Sequence, residues 1–200
     1  MGDSTDGLLR VKQLMKLRYG VIEGTVYYTN FISNWLNELS KKVCVEFQMV
    51  YGNHTELRML GQPKGTFKDE NTGLFIRELI EARLQNNPNF SIIKNPTGLI
   101  FANICNMNIL GIHGEVKNLE QAVKDFSNVY KTQIDILIAG HKHHSLSENI
   151  GVNRDIVGIP SIIGVDDFSL ELKKTANAGA TIIGIEENKG KVCEENIKLN

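Results

Sequence analysis

All 5 histidines of this 200-residue chain lie in three short motifs. The motifs are Gly52-Asn53-His54, Gly111-Ile112-His113-Gly114 and Gly140-His141-Lys142-His143-His144. Each motif follows an apolar run that is typical of a buried β-strand. Imidazoles held at the carboxyl ends of neighbouring strands can share a metal ion. The distribution of histidine therefore indicates a metal site on an α/β sheet.

Each motif, taken alone, also has a simpler explanation. Gly52-Asn53-His54 is more typical of an Asn-led turn with a solvated histidine, and His113 is equally typical of a bend at the end of a strand. A His-x-His pair is common in surface loops. In the opening Gly2–Gly7 segment, Asp3 could be a carboxylate ligand, whereas Asp6 suits an ordinary helix N-cap.

Composition limits the class of protein. Hydrophobic residues make up 42% of the chain and charged residues 22%, which suits a globular protein with a sizeable core. A net charge of −1 gives no strong field to attract nucleic acid or an anionic membrane. The cysteines number 3 and form no CxxC pair, so we expect buried thiols in a reducing compartment. With no membrane span and no signal peptide apparent, the cytoplasm is the expected location.

The spacing of apolar residues predicts alternating helices and strands, with a mostly antiparallel end. Helices are expected over Leu8–Tyr19, Glu23–Ser40, Glu56–Leu60, Leu74–Leu84, Leu119–Tyr130 and Phe168–Lys173. Strands are expected over Val43–Val50, Ser91–Ile93, Leu99–Ile104, Asn108–Ile112, Ile134–Ala139, Glu148–Val152, Asp155–Ile159, Thr181–Glu186 and Lys191–Ile197. The Asn95-Pro96-Thr97-Gly98 turn predicts a hairpin between the second and third strands. Without a visible linker, residues 1–200 are expected to form one domain.

Together the motifs run in the order GDxxD, GNH, GxHG and GHxH. This order resembles the calcineurin-like metallophosphoesterase superfamily over essentially the whole chain, and most of all the phosphoesterases of phages and prophages. The resemblance implies an α/β fold, a βαβ sandwich of two packed mixed sheets flanked by helices. The family's first motif, DxH, is absent, so the resemblance also predicts an N-terminally truncated member that lacks the first core strand.

The resemblance assigns a role to each matching residue. Asp3 would bridge two metal ions, with Asn53, His113 and His141 completing one site and His143 serving the other. His54 would stand beside the substrate phosphate and, together with Asn53, act in catalysis. Arg58 is a candidate phosphate contact, although a solvated helix arginine is an equal alternative. Thr55 replaces the family's usual acidic residue, and Glu56 is a candidate substitute that would orient His54. Apart from the resemblance, Asp166 and Asp167 follow soon after the GHxH motif and could reach a metal or substrate, although helix-capping acids are the plainer interpretation.

The implied activity is hydrolysis of a phosphate ester by a metal-bound hydroxide, with a nucleotide or nucleic-acid phosphodiester as the expected substrate. Mn²⁺ is the expected ion, and Fe, Zn or Co also suit such ligands. Because DxH is absent, one site is expected to be complete and the second incomplete. The alternative is a catalytically weak or inactive module that binds metal or phosphate. Exposure of a sheet edge would favour a homo-oligomer that covers it.

Overall fold

A computed structural model describes residues 2–9, 11–58, 62–165, 167–171, 173 and 175–199, and the side chains of 167 and 168 are not described. These residues fall into two compact units, Met1–Gly98 and Leu99–Asn200. The expectation of one domain stays a prediction. Asp166 lies outside the described residues, so its role as a contact also stays a prediction.

The first unit is built from two packed helices and a small parallel sheet. Its elements are α1 (Val11–Leu14), α2 (Val21–Ser40), β1 (Val45–Phe47), α3 (Thr72–Leu84) and β2 (Phe90–Ile92). Strands β1 and β2 are parallel, with Val45 opposite Phe90. The core of the unit joins α2, α3 and β1 through Leu36, Val45, Ile76, Ile80 and Leu84.

Helix α2 confirms the predicted helix, but its large apolar residues do not all face the core. Leu36 is only 2% exposed, whereas Phe31 and Trp35 are 61% and 52% exposed. Thr25 and Thr29 are buried instead, and each hydroxyl donates to a helix carbonyl one turn earlier, at 2.7 Å in both cases. This bond satisfies the hydroxyl internally, so a threonine can occupy a buried helix face at low cost.

Among the described residues, a second predicted helix is much shorter than expected and a third is not formed, and residues 59 and 60 of the third lie outside the described residues. The helix expected over Leu8–Tyr19 reduces to the four residues of α1, none of which is buried. Without a packed apolar face, a helix of this length is marginal in water. Residues 56–58 are extended rather than helical, because the chain there forms a β-bridge from Glu56 to Asn71.

The second unit is a five-stranded mixed sheet with a helix on one face and a β-hairpin on the other. Its elements are β3 (Ile100–Ile104), β4 (Met107–Ile112), α4 (Leu119–Tyr130), β5 (Ile136–Ala139), β6 (Leu146–Gly151), β7 (Arg154–Gly158), α5 (Asp167–Glu171), β8 (Gly179–Glu186) and β9 (Gly190–Lys198). The sheet order is β3-β4-β5-β7-β6, and β4, β5 and β7 are parallel. The mixed sheet and its helix confirm the predicted α/β class.

Opposite faces of this sheet have different partners. Leu119 and Val123 of α4 pack with Leu110 and Leu137 on one face. Ile183 and Ile185 of β8 pack against Ile136 on the other face. The second layer is thus the antiparallel pair β8–β9. The central strands are covered on both sides, which explains their continuous apolar sequences.

The predicted hairpin around Asn95-Pro96-Thr97-Gly98 is wrong. Strand β2 pairs with β1 in the first unit, and β3 pairs with β4 in the second. The turn that joins β3 to β4 is Cys105-Asn106, where φ is 50° and 61°. Two successive positive φ angles are the signature of a type I′ hairpin turn, and Asn tolerates that conformation well.

Cys44, Cys105 and Cys193 are free thiols, and all three are exposed rather than buried as the sequence predicted. Within the part of the chain that the structure describes, no helix is both long enough and apolar enough to cross a membrane.

Candidate functional site

Two histidines predicted as metal ligands meet in the second unit. His113 follows β4 and His141 follows β5, and the ends of these parallel strands are in register, with Ile112 opposite Ala139. The Nε2 atom of His113 and the Nδ1 atom of His141 lie 3.2 Å apart. The two rings meet edge to face, with centroids 4.9 Å apart. His113 is buried and His141 is exposed, so the pair lies at the surface end of the sheet.

Glycine allows the two loops to come this close. Gly114 has a φ of 100°, and a Cβ atom there would lie 2.5 Å from the carbonyl oxygen of Gly140. The second loop then turns sharply, because His141 and His143 both have positive φ angles, 66° and 63°. This left-handed backbone is uncommon for residues other than glycine, and it tends to occur at functional sites.

The pair of imidazoles fits a transition-metal ion. Two nitrogen ligands of a tetrahedral ion at ordinary metal–nitrogen distances lie about 3.3 Å apart. The observed separation of 3.2 Å is close to that value. Nitrogen ligands of this kind suit Mn, Fe, Co and Zn, and the donor set therefore points to a divalent metal without fixing which one.

His143 and His144 lie on the same loop. Both are exposed. The carbonyl oxygen of His143 accepts a hydrogen bond from the backbone N–H of Ser161 at 3.4 Å. The Nδ1 atom of His144 lies 2.8 Å from the carbonyl oxygen of Lys142, so that ring is held against its own loop. The role of His143 at a second metal site stays a prediction.

In the first unit, the N-terminal segment lies against the Gly52-Asn53-His54 loop. Gly2 donates to Val50 at 3.1 Å, and Gly7 donates to His54 at 2.6 Å. Between these two bonds, the Asp3 carboxylate accepts a hydrogen bond from the backbone N–H of His54 at 2.7 Å. A Cβ atom on residue 52 would lie 1.9 Å from the same carboxylate, so only glycine fits there. The Gly2–Asp6 and Gly52–His54 motifs therefore form one local structure.

His54 is paired with Asp6, for which the sequence predicted only a helix N-cap. Its Nδ1 atom lies 2.8 Å from Asp6 Oδ1, and both side chains are about one-third exposed, at 31% and 36%. This hydrogen bond is the main reason that the pKa of His54 is raised above its ordinary value, and burial only partly opposes it. The negative charge of Asp3 raises the pKa further.

The structure therefore corrects the prediction that Glu56 orients His54. Glu56 bonds to Arg58 and to the backbone of Gly65 and is only 4% exposed. Thr55 is fully buried, and its hydroxyl donates to the carbonyl of Gly52 at 3.0 Å. Asp6 pairs with His54 instead. The sequence signal was the second acidic residue of GDxxD, which capping chemistry had explained equally well, although α1 begins only at Val11.

Arg58 is neither solvated nor helical. Its side chain is 12% exposed, and its Nε atom donates to Glu56 at 2.8 Å. Its Nη2 atom donates to the backbone carbonyl of Asn53 at 3.0 Å. These bonds fix the half-buried Asn53 in the loop beside His54. A phosphate contact for Arg58 stays a prediction.

Comparison with known proteins gives a sequence relative of prophage origin. No protein-family model matches the chain. The SPbeta prophage-derived uncharacterized protein YonJ of Bacillus subtilis is 30% identical over 205 residues, which cover 99% of this chain and 51% of that protein. The chain thus spans about half the length of the curated relative it matches. A prophage-derived relative agrees with the predicted likeness to prophage proteins.

Solved structures resemble the chain more distantly. A novel archaeal phosphodiesterase has 15% sequence identity and a TM-score of 0.48, over 84% of this chain and 76% of that one. A double mutant of Vps29 from Entamoeba histolytica has 16% identity and a TM-score of 0.41, over 84% of this chain and 89% of that one.

Proposed function

We propose that the chain is a calcineurin-like metallophosphoesterase that hydrolyses a phosphodiester of a nucleotide or nucleic acid. The observation that carries this proposal is the His113–His141 pair, whose ring nitrogens lie 3.2 Å apart at the ends of adjacent parallel strands. Such a pair is suited to one metal ion. The order of the four motifs along the chain supports the same assignment.

The proposed metal ligands are Asp3, Asn53, His113 and His141, with His143 assigned to a second ion. Each unit supplies its own part of this set in an ordered loop. The Asp3 carboxylate is held by the backbone of His54, and Asn53 is fixed by Arg58. The assignment of the two loops to a common ion rests on the motif order of the sequence.

The chemistry of the proposal divides between the ion and the side chains. A bound divalent ion supplies a Lewis acid for the phosphate and lowers the pKa of a water molecule. The Asp6 carboxylate holds His54 with Nδ1 as the hydrogen-bonded atom, so Nε2 is the nitrogen left to face a substrate. Because the pKa of His54 is raised, its Nε2 retains a proton to higher pH and can donate it to the leaving oxygen.

Metal binding tests the first step of the proposal. The chain is stripped with a chelator and dialysed separately against Mn²⁺, Fe²⁺, Zn²⁺ and Co²⁺, and bound metal is measured by elemental analysis. His141→Ala removes an exposed ligand and is expected to abolish tight binding. His144→Ala is the matched control, because it removes a histidine of the same loop that has no assigned ligand role. Equal metal content in all three proteins would contradict the proposed centre.

Hydrolysis tests the second step. With Mn²⁺ bound, the chain is expected to hydrolyse bis-p-nitrophenyl phosphate, and His141→Ala and His54→Gln are expected to lose that activity while His144→Ala retains it. Folded, metal-loaded protein without turnover would favour the alternative, a module that binds metal or phosphate.

Mn²⁺ is the proposed ion among those that suit the donor set. The proposed location is the cytoplasm, because all three cysteines are exposed thiols, the state that a reducing compartment maintains. Association into a homo-oligomer stays a prediction, which the molar mass in solution would test.

A further inference from the structure

A cavity of about 250 Å³ lies in the first unit, next to the His54–Asp6 pair. Its walls come from the N-terminal loop, from the segment that leads into α2 and from the first two turns of that helix. Asp6 itself is one of the lining residues. Asp6 therefore both borders the cavity and holds His54.

Two glycines leave the space open. A Cβ atom on Gly20 would meet no atom within 4 Å, and a Cβ atom on Gly24 would come no closer than 3.8 Å to Tyr19. Both glycines line the cavity. Gly24 lies inside α2, where glycine costs about 1 kcal/mol relative to alanine. At Gly24, therefore, a side chain would fit and would stabilise the helix, yet the position is left open.

One side of the lining is formed by tyrosine rings and an arginine. The Arg18 guanidinium lies 5.6 Å from the centroid of the Tyr19 ring, and Tyr19 in turn stacks on Tyr27 at 5.5 Å. Arg18, Tyr19 and the half-buried Tyr28 all line the cavity. Tyrosine rings and arginine planes are the surfaces on which proteins stack nucleobases.

The other side of the lining is polar. Ser4 and Thr5 supply hydroxyl oxygens and Asp6 supplies a carboxylate. Each already has one partner: Ser4 donates to the Gly2 carbonyl at 2.9 Å, Thr5 lies 3.3 Å from the Thr72 hydroxyl, and Asp6 Oδ1 holds His54. A hydroxyl oxygen and the second carboxylate oxygen can each accept a further hydrogen bond, for example from the exocyclic amino group of a base. A simple phenyl or alkyl group has no polar edge with which to match these groups.

From these observations we propose that the cavity is a nucleobase subsite of the phosphodiester substrate. Its volume is below the ~300–1,000 Å³ of pockets that enclose whole drug-sized ligands, so it suits one ring system rather than a complete nucleotide. The ring would lie against Arg18 and Tyr28, with its polar edge toward Thr5 and Asp6. The inference rests on the proposed function for the identity of its substrate, although the binding of a base can be measured without hydrolysis.

Binding is measured by NMR titration of the metal-free chain with adenosine, adenosine 5′-monophosphate and ribose 5-phosphate. We expect the first two probes to bind and ribose 5-phosphate to bind more weakly. Gly24→Leu fills the cavity from within a helix that tolerates leucine, and it is expected to weaken adenosine binding at least about fivefold, the lower end for one base-stacking contact. Arg18→Met, at an exposed position that does not endanger folding, is expected to weaken it in the same direction.

Asn34→Leu is the matched control, because it adds the same side chain at an exposed position of α2 outside the cavity. Unchanged adenosine affinity in both Gly24→Leu and Arg18→Met would overturn the subsite, as would equal binding of ribose 5-phosphate and adenosine 5′-monophosphate. Hydrolysis of the ester without adenosine binding would contradict the proposed subsite and leave the proposed function standing. The chain could also bind adenosine, with weaker binding in Gly24→Leu, and yet neither bind metal nor hydrolyse esters. That result would support the subsite and contradict only the proposed function.

Discussion

The Nδ1 atom of His54 lies 2.8 Å from Oδ1 of Asp6, a residue 48 positions earlier in the chain. The backbone bond from His54 to the Asp3 carboxylate brings the two loops together at the same point. Of the two acidic residues of the Gly2–Asp6 segment, one therefore accepts from the backbone of residue 54 and the other from its side chain. Such a pair fixes the orientation of the imidazole and favours its protonated form.

Asp6→Asn is expected to lower the pKa of His54, because the hydrogen bond from Asp6 is the largest cause of the raised value. A raised pKa stabilises the fold below the unfolded value of about 6.5, and this stabilisation disappears as the pH rises through the folded value. The difference in free energy of unfolding between the native chain and Asp6→Asn should thus be larger at pH 5.5 than at pH 8.5. NMR titration of His54 in chelator-treated protein measures the pKa directly. His54→Gln, which lacks the imidazole, is the control. A difference in free energy of unfolding between the native chain and Asp6→Asn that does not change with pH would contradict the His54–Asp6 pair.

Gly114→Ala is expected to be destabilising by at least about 1–3 kcal/mol, the usual cost of a strained backbone conformation. The φ of 100° disfavours any side chain, and the added Cβ would lie 2.5 Å from the Gly140 carbonyl oxygen. To relieve this clash the Gly114 and Gly140 loops must move apart, which should also separate His113 from His141 and weaken metal binding. Gly24→Ala is the control, since its Cβ meets only ordinary contacts and should stabilise α2 by about 0.4–1 kcal/mol. Equal free energies of unfolding for the two variants would show that the Gly114 loop relaxes freely.

Lys191→Met is expected to be more destabilising than Glu194→Gln. The Lys191 Nζ atom lies 2.8 Å from Glu194 and 3.4 Å from Asp155, and all three side chains are only 11–12% exposed. Removing the lysine leaves two carboxylates together in a largely buried place, which costs roughly 3–5 kcal/mol. Removing Glu194 still leaves Lys191 paired with Asp155. Chemical denaturation at neutral pH compares the two variants.

The same cluster gives a pH dependence. Burial acts to raise the pKa of Glu194, but hydrogen bonds from Lys191 and Ser147 outweigh it, and the pKa is lowered overall. A lowered carboxyl pKa stabilises the fold above the unfolded value, and this contribution is lost as the pH falls through the folded value. The gap in stability between the native chain and Glu194→Gln should therefore narrow as the pH is taken from 7 toward 4. A constant gap over that range would argue against an ionised Glu194.

The sequence predicted the strands that have continuous apolar sequence. It predicted helices correctly only where they pack against another element. Strand β5 and helix α4 lie within two residues of their predicted bounds, because each contributes to the core of the mixed sheet. The Leu8–Tyr19 segment has helical spacing as well, but none of its described residues is buried, so no packed face holds it in a helix. Apolar spacing shows that a face exists, and it does not show whether another element covers it.

The candidate site, like the fold, was predictable from the sequence only in part. The sequence placed His113 and His141 after their strands, and a parallel sheet then brings such residues together. It could not show that Asp6 rather than Glu56 pairs with His54, since that depends on how the N-terminal segment hydrogen-bonds to residues 50–54. A contact between loops distant in sequence is set by backbone geometry that no local pattern encodes.

Trp35, the single tryptophan, tests the assignment of the faces of α2. Trp35 is 52% exposed, whereas its neighbour Leu36 is 2% exposed and packs with Ile76 and Ile80. Leu36→Ala should therefore cost about 2–5 kcal/mol of unfolding free energy, the usual range for a buried leucine. Trp35→Ala should stay near the roughly 0.5 kcal/mol typical of surface changes. The fluorescence of Trp35 should be red-shifted and readily quenched by acrylamide. A blue-shifted, protected tryptophan would mean that this face of α2 is covered in solution, and molar mass measured on the same sample would show whether a second copy of the chain covers it.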